Sequence, residues 1–175
     1  DHGYGFDNNA DVLSMSPLLF EKYDIAAGNL TQTAIKAPAS AVNVRAEAEL
    51  LEGTVGRAGA SSWTLWSNGE VGLAHTFPHD GRYRLSVRAW QSAAGTEDAQ
   101  MEIVLDNLVL ATVNVSGDSN SPQVFTEETS ITAGTHQFLG RFINDYYMPE
   151  DPDPMNRDRN LYVDWLNIEG PLDID

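Results

Sequence analysis

A period-two alternation of apolar and polar residues constrains this chain more than any other feature. In RYRLSVRA, residues 82–89, Tyr83, Leu85, Val87 and Ala89 fall on one face and Arg82, Arg84, Ser86 and Arg88 on the other, as in a half-buried strand. The runs 101–105, 108–115, 138–143 and 161–168 read likewise. Asn68-Gly69, Asp80-Gly81, Asp106-Asn107 and Ala133-Gly134 supply turn signals between such runs. Short strands at regular spacing, joined by turns of this kind, predict an all-β antiparallel sandwich or jelly roll.

The start of the chain differs. Ser16-Pro17 suits a helix start, a capping serine followed by proline in the first turn. Leu19, Tyr23, Ala26, Leu30 and Ala34 recur near helical spacing as far as about Ile35, and Lys36-Ala37-Pro38 ends the run. Gly28 weakens this helix by about 1 kcal/mol relative to alanine, so it needs tertiary support. The expected organisation is a helical extension or linker over 1–41 and a β-jelly-roll domain over 42–175.

Charge narrows the function classes. The 175 residues include 26 Asp and Glu against 10 Lys and Arg, a net charge of −16. Nucleic acid needs a basic patch, and none is present; anionic membrane surfaces are disfavoured for the same reason. Neutral sugars and divalent cations remain natural partners. The absence of cysteine excludes disulfides, thiol catalysis and zinc–thiolate sites together. No apolar run reaches membrane-spanning length and no signal peptide opens the chain; starting at Asp1 without methionine, it reads as a fragment or processed product.

Between the runs 138–143 and 161–168 lies a loop dense in oxygen-bearing side chains. It holds Asn144, Asp145, Glu150, Asp151, Asp153, Asn156, Asp158 and Asn160, with Asp164 just inside the following strand. So many carboxylates repel one another unless a positive charge sits among them, and calcium takes six to eight oxygen ligands at flexible geometry. The alternative is a solvated acidic loop whose charge is partly offset by Arg141, Arg157 and Arg159. An EF-hand does not fit: prolines stand at 152 and 154, Asn156 replaces the turn glycine, and Tyr162 replaces the bidentate Glu.

Three further features bear on chemistry. In Glu47-Ala48-Glu49 strand alternation sets two carboxylates on one side, with Val44, Ala46 and Ala48 opposite; solvated glutamates on an edge strand are the alternative. Asp164 shares a strand face with Tyr162, Leu166 and Ile168, which are read as inward, so a metal or an arginine is expected beside it. If Glu47, Glu49 and Asp164 converge, they form a closed structural cation site. Trp63 and Trp66, in SSWTLWSNG, and Tyr146 and Tyr147, in the loop, offer aromatic faces for the apolar faces of sugar rings; one or both tryptophans are alternatively core. The four histidines are scattered, and no GxSxG, phosphate-binding or HExxH motif occurs. Paired carboxylates exist, but a small sandwich offers little room for a glycosidase cleft, so no enzyme activity and no catalytic residues are expected.

The tail FINDYY…NRDRNLYVDWLNIEG resembles the C-terminal signature of calcium-dependent xylan-binding modules, families thirty-six and sixty of the carbohydrate-binding modules. Phe142, Asn144 and Asp145 match the first half of that signature, and Val163, Asp164 and Trp165 the second. WTLWSNGEV at 63–71 and DGRYRLSVRA at 80–89 are similar to such modules too, so the resemblance spans about residues 42–170. Glu47-Ala48-Glu49 resembles the opening of the wider superfamily of sugar-binding jelly rolls, where two glutamates and a last-strand aspartate hold a structural calcium. The resemblance implies that Glu47, Glu49 and Asp164 hold that ion. It implies a second, exposed calcium at Asp145, Asp158 and Asn160 that chelates sugar hydroxyls, with Tyr146 and Tyr147 beside the sugar. Here the loop is longer and proline-rich, and Asn160 stands where the family carries an aspartate; Asp158 is the alternative occupant of that role.

GYGFDNNADVLSMSPLLFEKY, 3–23, looks like a linker in large multidomain bacterial proteins that carry c-type haem segments, although no C-x-x-C-H occurs here. That resemblance implies extracytoplasmic residence and neighbouring domains in a larger parent chain. The combined expectation is a non-catalytic, calcium-dependent module binding a xylan-like polysaccharide of plant or algal type. The alternative is an interdomain structural domain with structural calcium and no sugar binding.

Overall fold

The computed structural model describes residues 17–34 and 41–173. The chain divides into a unit over 1–38 and a second over 39–175. In the first, helix α1 (Pro17–Ala34) occupies the stretch whose apolar spacing predicts it, with Leu18, Phe20, Tyr23 and Ile25 exposed; the capping Ser16 and the end at Ile35 lie outside the described residues. Among the described residues no helix is long and apolar enough to cross a membrane.

The second unit is the antiparallel sandwich that the alternation predicts. Its strands are β1 (Val42–Glu47), β2 (Glu52–Gly53), β3 (Arg57–Ala58), β4 (Trp63–Leu65), β5 (Gly69–Phe77), β6 (Gly81–Ser92) and β7 (Ala99–Leu105). They continue with β8 (Leu108–Val115), β9 (Gln123–Ile131), β10 (Gly134–Phe142), β11 (Tyr146–Tyr147) and β12 (Asp158–Gly170). One sheet runs β2-β5-β10-β7-β8; the other runs β3-β4-β12-β6-β9, with β1 and β11 also paired to β12. All these pairings are antiparallel. Asp106 and Asn107 join β7 to β8 with φ of 48° and 69°, the left-handed pair that a two-residue hairpin needs and that Asp and Asn tolerate.

Between the sheets the inward faces interdigitate. Tyr83, Leu85, Val87 and Ala89 of β6 are fully buried, as alternation requires, against Met101, Ile103, Phe138, Phe142, Leu161 and Val163. Phe77 meets Tyr83 edge to face at 4.8 Å, a geometry that aromatic quadrupoles favour. The Tyr83 hydroxyl donates to the His79 carbonyl at 2.8 Å, so its polar end is satisfied.

Two sequence expectations fail here for local reasons. First, β1 ends at Glu47, and Ala48–Leu50 turns as a 3₁₀ helix; Glu47 and Glu49 therefore do not share one strand face. Second, β12 shifts register against β6 between Val163, opposite Ala89, and Trp165, opposite Arg88. Asp164 is the extra residue of a β-bulge, which inverts the alternation beyond it. Leu161 and Val163 point inward before the bulge, and Leu166 and Ile168 after it. Tyr162 and Asp164 consequently leave the inward face and stand with Trp90 and Arg88 on the outer one.

At one end of the sandwich the Nδ1 of His136 pairs with the Asp106 carboxylate, and its Nε2 faces the Thr132 carbonyl at 2.9 Å. Both partners only accept, so the ring satisfies both as imidazolium. The hydrogen bond to Asp106 holds the His136 pKa above its ordinary value, and that same bond, with help from the Gln137 amide, holds Asp106 below its own. A raised histidine contributes stability that is complete below its unfolded pKa and lost as pH rises through the folded one; a depressed aspartate contributes above its unfolded pKa and loses it in acid. The pair's stabilisation is thus greatest between about pH 4 and about pH 6.5. Asp106→Asn keeps the left-handed backbone but removes the charge. Thermal melts in chelator should show the largest gap between wild type and this variant in that window, closing as pH rises above it; a gap independent of pH would refute the assignment.

Candidate functional site

The outer face of the seven-stranded sheet carries the charge network. Arg82 and Arg84 both pair with Glu128, Arg84 reaches Glu169 at 2.9 Å, and Arg88 reaches Asp164 at 2.7 Å. With 13% side-chain exposure, Asp164 is the most enclosed of these acids. Burial pushes its carboxyl up, Arg88 pulls it back, and the charge of Glu47 adds to the upward push. Glu47 is itself paired with Arg45 at 2.9 Å, and the Arg45 guanidinium lies over the Trp165 ring at 4.6 Å.

The Glu47, Glu49 and Asp164 trio is therefore only partly assembled. Glu47 acts on Asp164 electrostatically, while Glu49 stands in the 3₁₀ turn with its Oε2 buried and without a hydrogen-bond partner. Among the described residues no three acidic or histidine side chains converge on one point as a metal cluster. An orphaned carboxylate oxygen and an enclosed aspartate are what a structural cation would relieve, and in that respect the donor set fits calcium.

Beyond the bulge, towards its start, β12 presents Tyr162, Asn160 and Asp158 in succession on the outer face. Tyr162 stands opposite Trp90 in register, and the two rings stack with centroids 5.5 Å apart and planes within 2°. They wall an open cleft of about 630 Å³ whose rim includes Ser92, Asp118, Ser119 and Met155. Ser92 joins the cleft to Asp158 and Asn160: its hydroxyl donates to the Asp158 carbonyl at 3.3 Å and lies 3.4 Å from the Asn160 amide nitrogen. That nitrogen also donates to the Asp158 carboxylate at 3.1 Å. The Asn160 amide oxygen is buried without a partner, as are Glu49 Oε2, His75 Nε2 and Trp165 Nε1 among the described residues, whereas buried polar groups are ordinarily hydrogen-bonded.

The loop behind this pair uses several of its own oxygens. Asp153 caps the Met155 amide, Asp151 accepts from the Asp153 amide and the Asn156 side chain, and Asn156 accepts from the Gly95 amide at 2.6 Å. Asn144 is spent on Gln100 and Asp98. The three arginines nearest the loop in sequence do not neutralise it: Arg141 pairs with Glu70 and Glu102, Arg157 binds the Asp151 carbonyl, and Arg159 binds carbonyls only. Among the described residues, no carboxylate of Asp145, Glu150, Asp151, Asp153 or Asp158 has a basic partner. Asp145 is exposed, its amide held by Asn68 Oδ1 at 2.8 Å. It lies one residue before the short β11 pairing that sets Tyr146 opposite Arg159 and Tyr147 opposite Asp158.

The aromatic candidates separate. Trp63 is half-buried, donates to the Val55 carbonyl at 2.8 Å and packs on the core, as its alternative reading had it. Trp66 is exposed, and so is Tyr147, whereas the Tyr146 ring lies beneath the Arg159 guanidinium at 5.4 Å. Trp90 and Tyr162 escaped the sequence reading. Extending the alternation of 82–89 by one step sets Trp90 on the arginine face, and an aromatic on a polar strand face was the available signal.

Residues 84–173 match the family model described as a Ca-dependent carbohydrate-binding module, xylan-binding. Residues 1–36 match a family described as a protein of unknown function (DUF1587). No curated protein matches. Among solved structures, a carbohydrate-binding module of family 36 in complex with calcium and xylotriose aligns with TM-score 0.51 and 20% identity, over 71% of this chain and 98% of that one. A cycloisomaltooligosaccharide glucanotransferase from Paenibacillus sp. aligns with TM-score 0.51 and 17% identity, over 71% of this chain and 18% of the enzyme. At these identities the structures speak for the fold.

The Arg88–Asp164 pair makes a separate prediction. Arg88→Met leaves an enclosed carboxylate without its donor, a loss of about 1–3 kcal/mol. Urea denaturation in chelator should show that loss, and adding Asp164→Asn should recover most of it. Additive losses in the double variant would mean that the two residues do not act on each other.

Proposed function

The chain belongs to the family of calcium-dependent, xylan-binding carbohydrate-binding modules, and from that premise we propose that its β-sandwich, residues 42–175, holds a xylan-like polysaccharide at the start of β12. The observation that carries this is Asn160: a buried, unpartnered amide oxygen in a side chain that bonds the Asp158 carboxylate and, through its nitrogen, the Ser92 hydroxyl that lines a cleft walled by Trp90 and Tyr162. Asp158, Asn160 and the neighbouring Asp145 would hold a calcium ion. When bound, it supplies a positive centre to which vicinal sugar hydroxyls bind. The protein's own residues do the rest. Trp90 and Tyr162 offer an aromatic face to the apolar face of a pyranose, and the Ser92 and Ser119 hydroxyls border the same space. Asn160 adds an oxygen without charge, so this ion site binds more weakly than an all-carboxylate set.

Glu47, Glu49 and Asp164 would hold a second, structural ion below the bulge, with the orphaned Glu49 oxygen as the supporting observation. The module is non-catalytic: it holds polysaccharide for a larger extracytoplasmic parent whose neighbouring domains act. A plant or algal source of the polysaccharide follows from the xylan class.

Calorimetric titration with soluble xylan, with calcium and again after chelation, tests the reading. Binding should vanish with chelator and return with calcium. Asn160→Ala and Tyr162→Ala should each weaken it about tenfold or more, the latter through a lost aromatic face for the apolar side of the sugar. Unchanged binding in chelator would rule out the metal-bridged mechanism. No binding in calcium, with a melting temperature that still falls on chelation, would leave calcium as a structural staple alone.

A further inference from the structure

Arg159 is 3% exposed, and among the described residues no carboxylate lies within ion-pair distance of it. A buried charge without a counter-charge is costly, and it persists only where hydrogen bonds satisfy it. Here backbone carbonyls do so. Nε and Nη2 donate to the Ala94 carbonyl at 3.1 and 2.7 Å, and Nη1 donates to the Asn144 carbonyl at 2.7 Å. The Tyr146 ring lies beneath at 5.4 Å, adding the attraction of an aromatic face for a cation.

Three chain segments meet at this one guanidinium. Ala94 belongs to the turn after β6, Asn144 and Tyr146 to the segment after β10, and Arg159 itself to the start of β12. A fourth contact closes the set, the Gly95 amide bonding to Asn156 Oδ1 at 2.6 Å. Gly95 has φ of +73°, and a Cβ there would lie 3.1 Å from both Arg159 Nη2 and the Tyr146 ring. The turn is therefore built to approach the guanidinium closely. Arg159 lies between Asp158 and Asn160, and side chains alternate along a strand. Anchoring Arg159 inward turns its two neighbours outward together.

We propose that Arg159 is an internal cation that preorganises the site, locking the 93–97, 144–147 and 156–159 segments so that Asp158 and Asn160 stand side by side before any metal arrives. Its role is positioning; it touches neither metal nor sugar. This inference rests on the calcium reading of Asp158 and Asn160 for its functional consequence, but the ordering of the three segments stands apart from it. The planar fork matters, because Nε, Nη1 and Nη2 hold the Ala94 and Asn144 carbonyls from fixed positions on one rigid group; a lysine keeps the charge but gathers its three donors on one compact, flexibly held nitrogen.

The test has two arms on the full chain. In chelator, hydrogen exchange should show slow amides at Gly95, Met148 and their neighbours in wild type. Arg159→Met should make them exchange faster while β6 and β10 stay protected. In the second arm, terbium stands in for calcium, with Trp and Tyr sensitising its luminescence. Arg159→Met should weaken terbium binding about 10–100-fold, the range seen when residues that orient metal ligands are removed, and Arg159→Lys should recover little of it. Arg84→Met, at the far end of the same sheet, serves as the stability control: at a comparable fall in melting temperature its terbium affinity should be unchanged. Unaltered exchange in Arg159→Met would overturn the proposal. So would terbium binding in Arg159→Met that weakens no more than in Arg84→Met, or that Arg159→Lys fully restores. A wild type that binds no terbium would sink the calcium reading instead, and the exchange arm would then decide the anchoring role by itself.

Discussion

Four strands hydrogen-bond to β12. Strand β6 runs along one edge, while β1, β4 and β11 share the other. Such a strand must serve two masters, a dry face between the sheets and a wet face outside them, and strict alternation would give each face every second residue along its whole length. The bulge at Asp164 breaks that symmetry. It lets Leu161 and Val163 fill the core on one phase, and Leu166 and Ile168 on the other, while both Tyr162 and Asp164 remain outside. The extra residue is thus what allows the same strand to end in a core and begin in a site.

Electrostatics divides the outer face along the same line. Around and below the bulge, towards Gly170, acids are matched with arginines: Asp164 with Arg88, Glu169 with Arg84, Glu128 with Arg82 and Arg84. Above it the acids of the loop find no arginine, although three lie close in sequence. A chain with a net charge of −16 has few cations to distribute, and those near the loop are committed elsewhere. Arg141 bridges two glutamates on the other sheet, and Arg159 faces inward to carbonyls. Mutual repulsion among Asp145, Asp151 and Asp158 is therefore left to solvent or to a bound cation.

Much of this was legible in the sequence, and what was not has one main cause. Period-two patterning located β6, β7, β8, β10 and β12, the Asp106-Asn107 hairpin, and the inward face of β6. The strands β5 and β9 carry no such signal: GEVGLAHTF is interrupted by glycine and histidine, and QVFTEETSI alternates with too few large apolar residues. The misreading of Asp164 as inward, and of Tyr162 with it, came from counting alternation through a bulge that sequence does not mark. That error also hid the Trp90–Tyr162 stack, since a tyrosine taken for core cannot be paired with an outward tryptophan. Glu49 was missed as a turn residue because Glu-Ala-Glu alternates as well in a strand as it breaks out of one. The oxygen-rich loop was visible by composition, but composition could not say which oxygens the loop consumes. Asp151, Asp153 and Asn156 satisfy local amides, while the carboxylates of Asp145 and Glu150, that of Asp158 beyond its bond from Asn160, and the Asn160 oxygen keep acceptor capacity.

That remainder explains why aromatic and ionic parts belong together in this site. A xylose residue is neutral and flat on its apolar face, so it can stack on Trp90 and Tyr162 but brings no charge to relieve the acids beside them. A cation relieves the acids, yet alone it discriminates poorly among ligands bearing oxygen. Placed beside an aromatic wall, it accepts those oxygens only from a molecule that also offers an apolar face at the right distance. The strand alternation that sets Asp158, Asn160 and Tyr162 on one side of β12 fixes that distance, two residues of an extended strand being about 6–7 Å. That is the scale of one sugar ring. On the proposed reading, selectivity for a pyranose over a simple carboxylate or phosphate would follow from strand geometry, with the guanidinium of Arg159 holding the start of β12 in place from within.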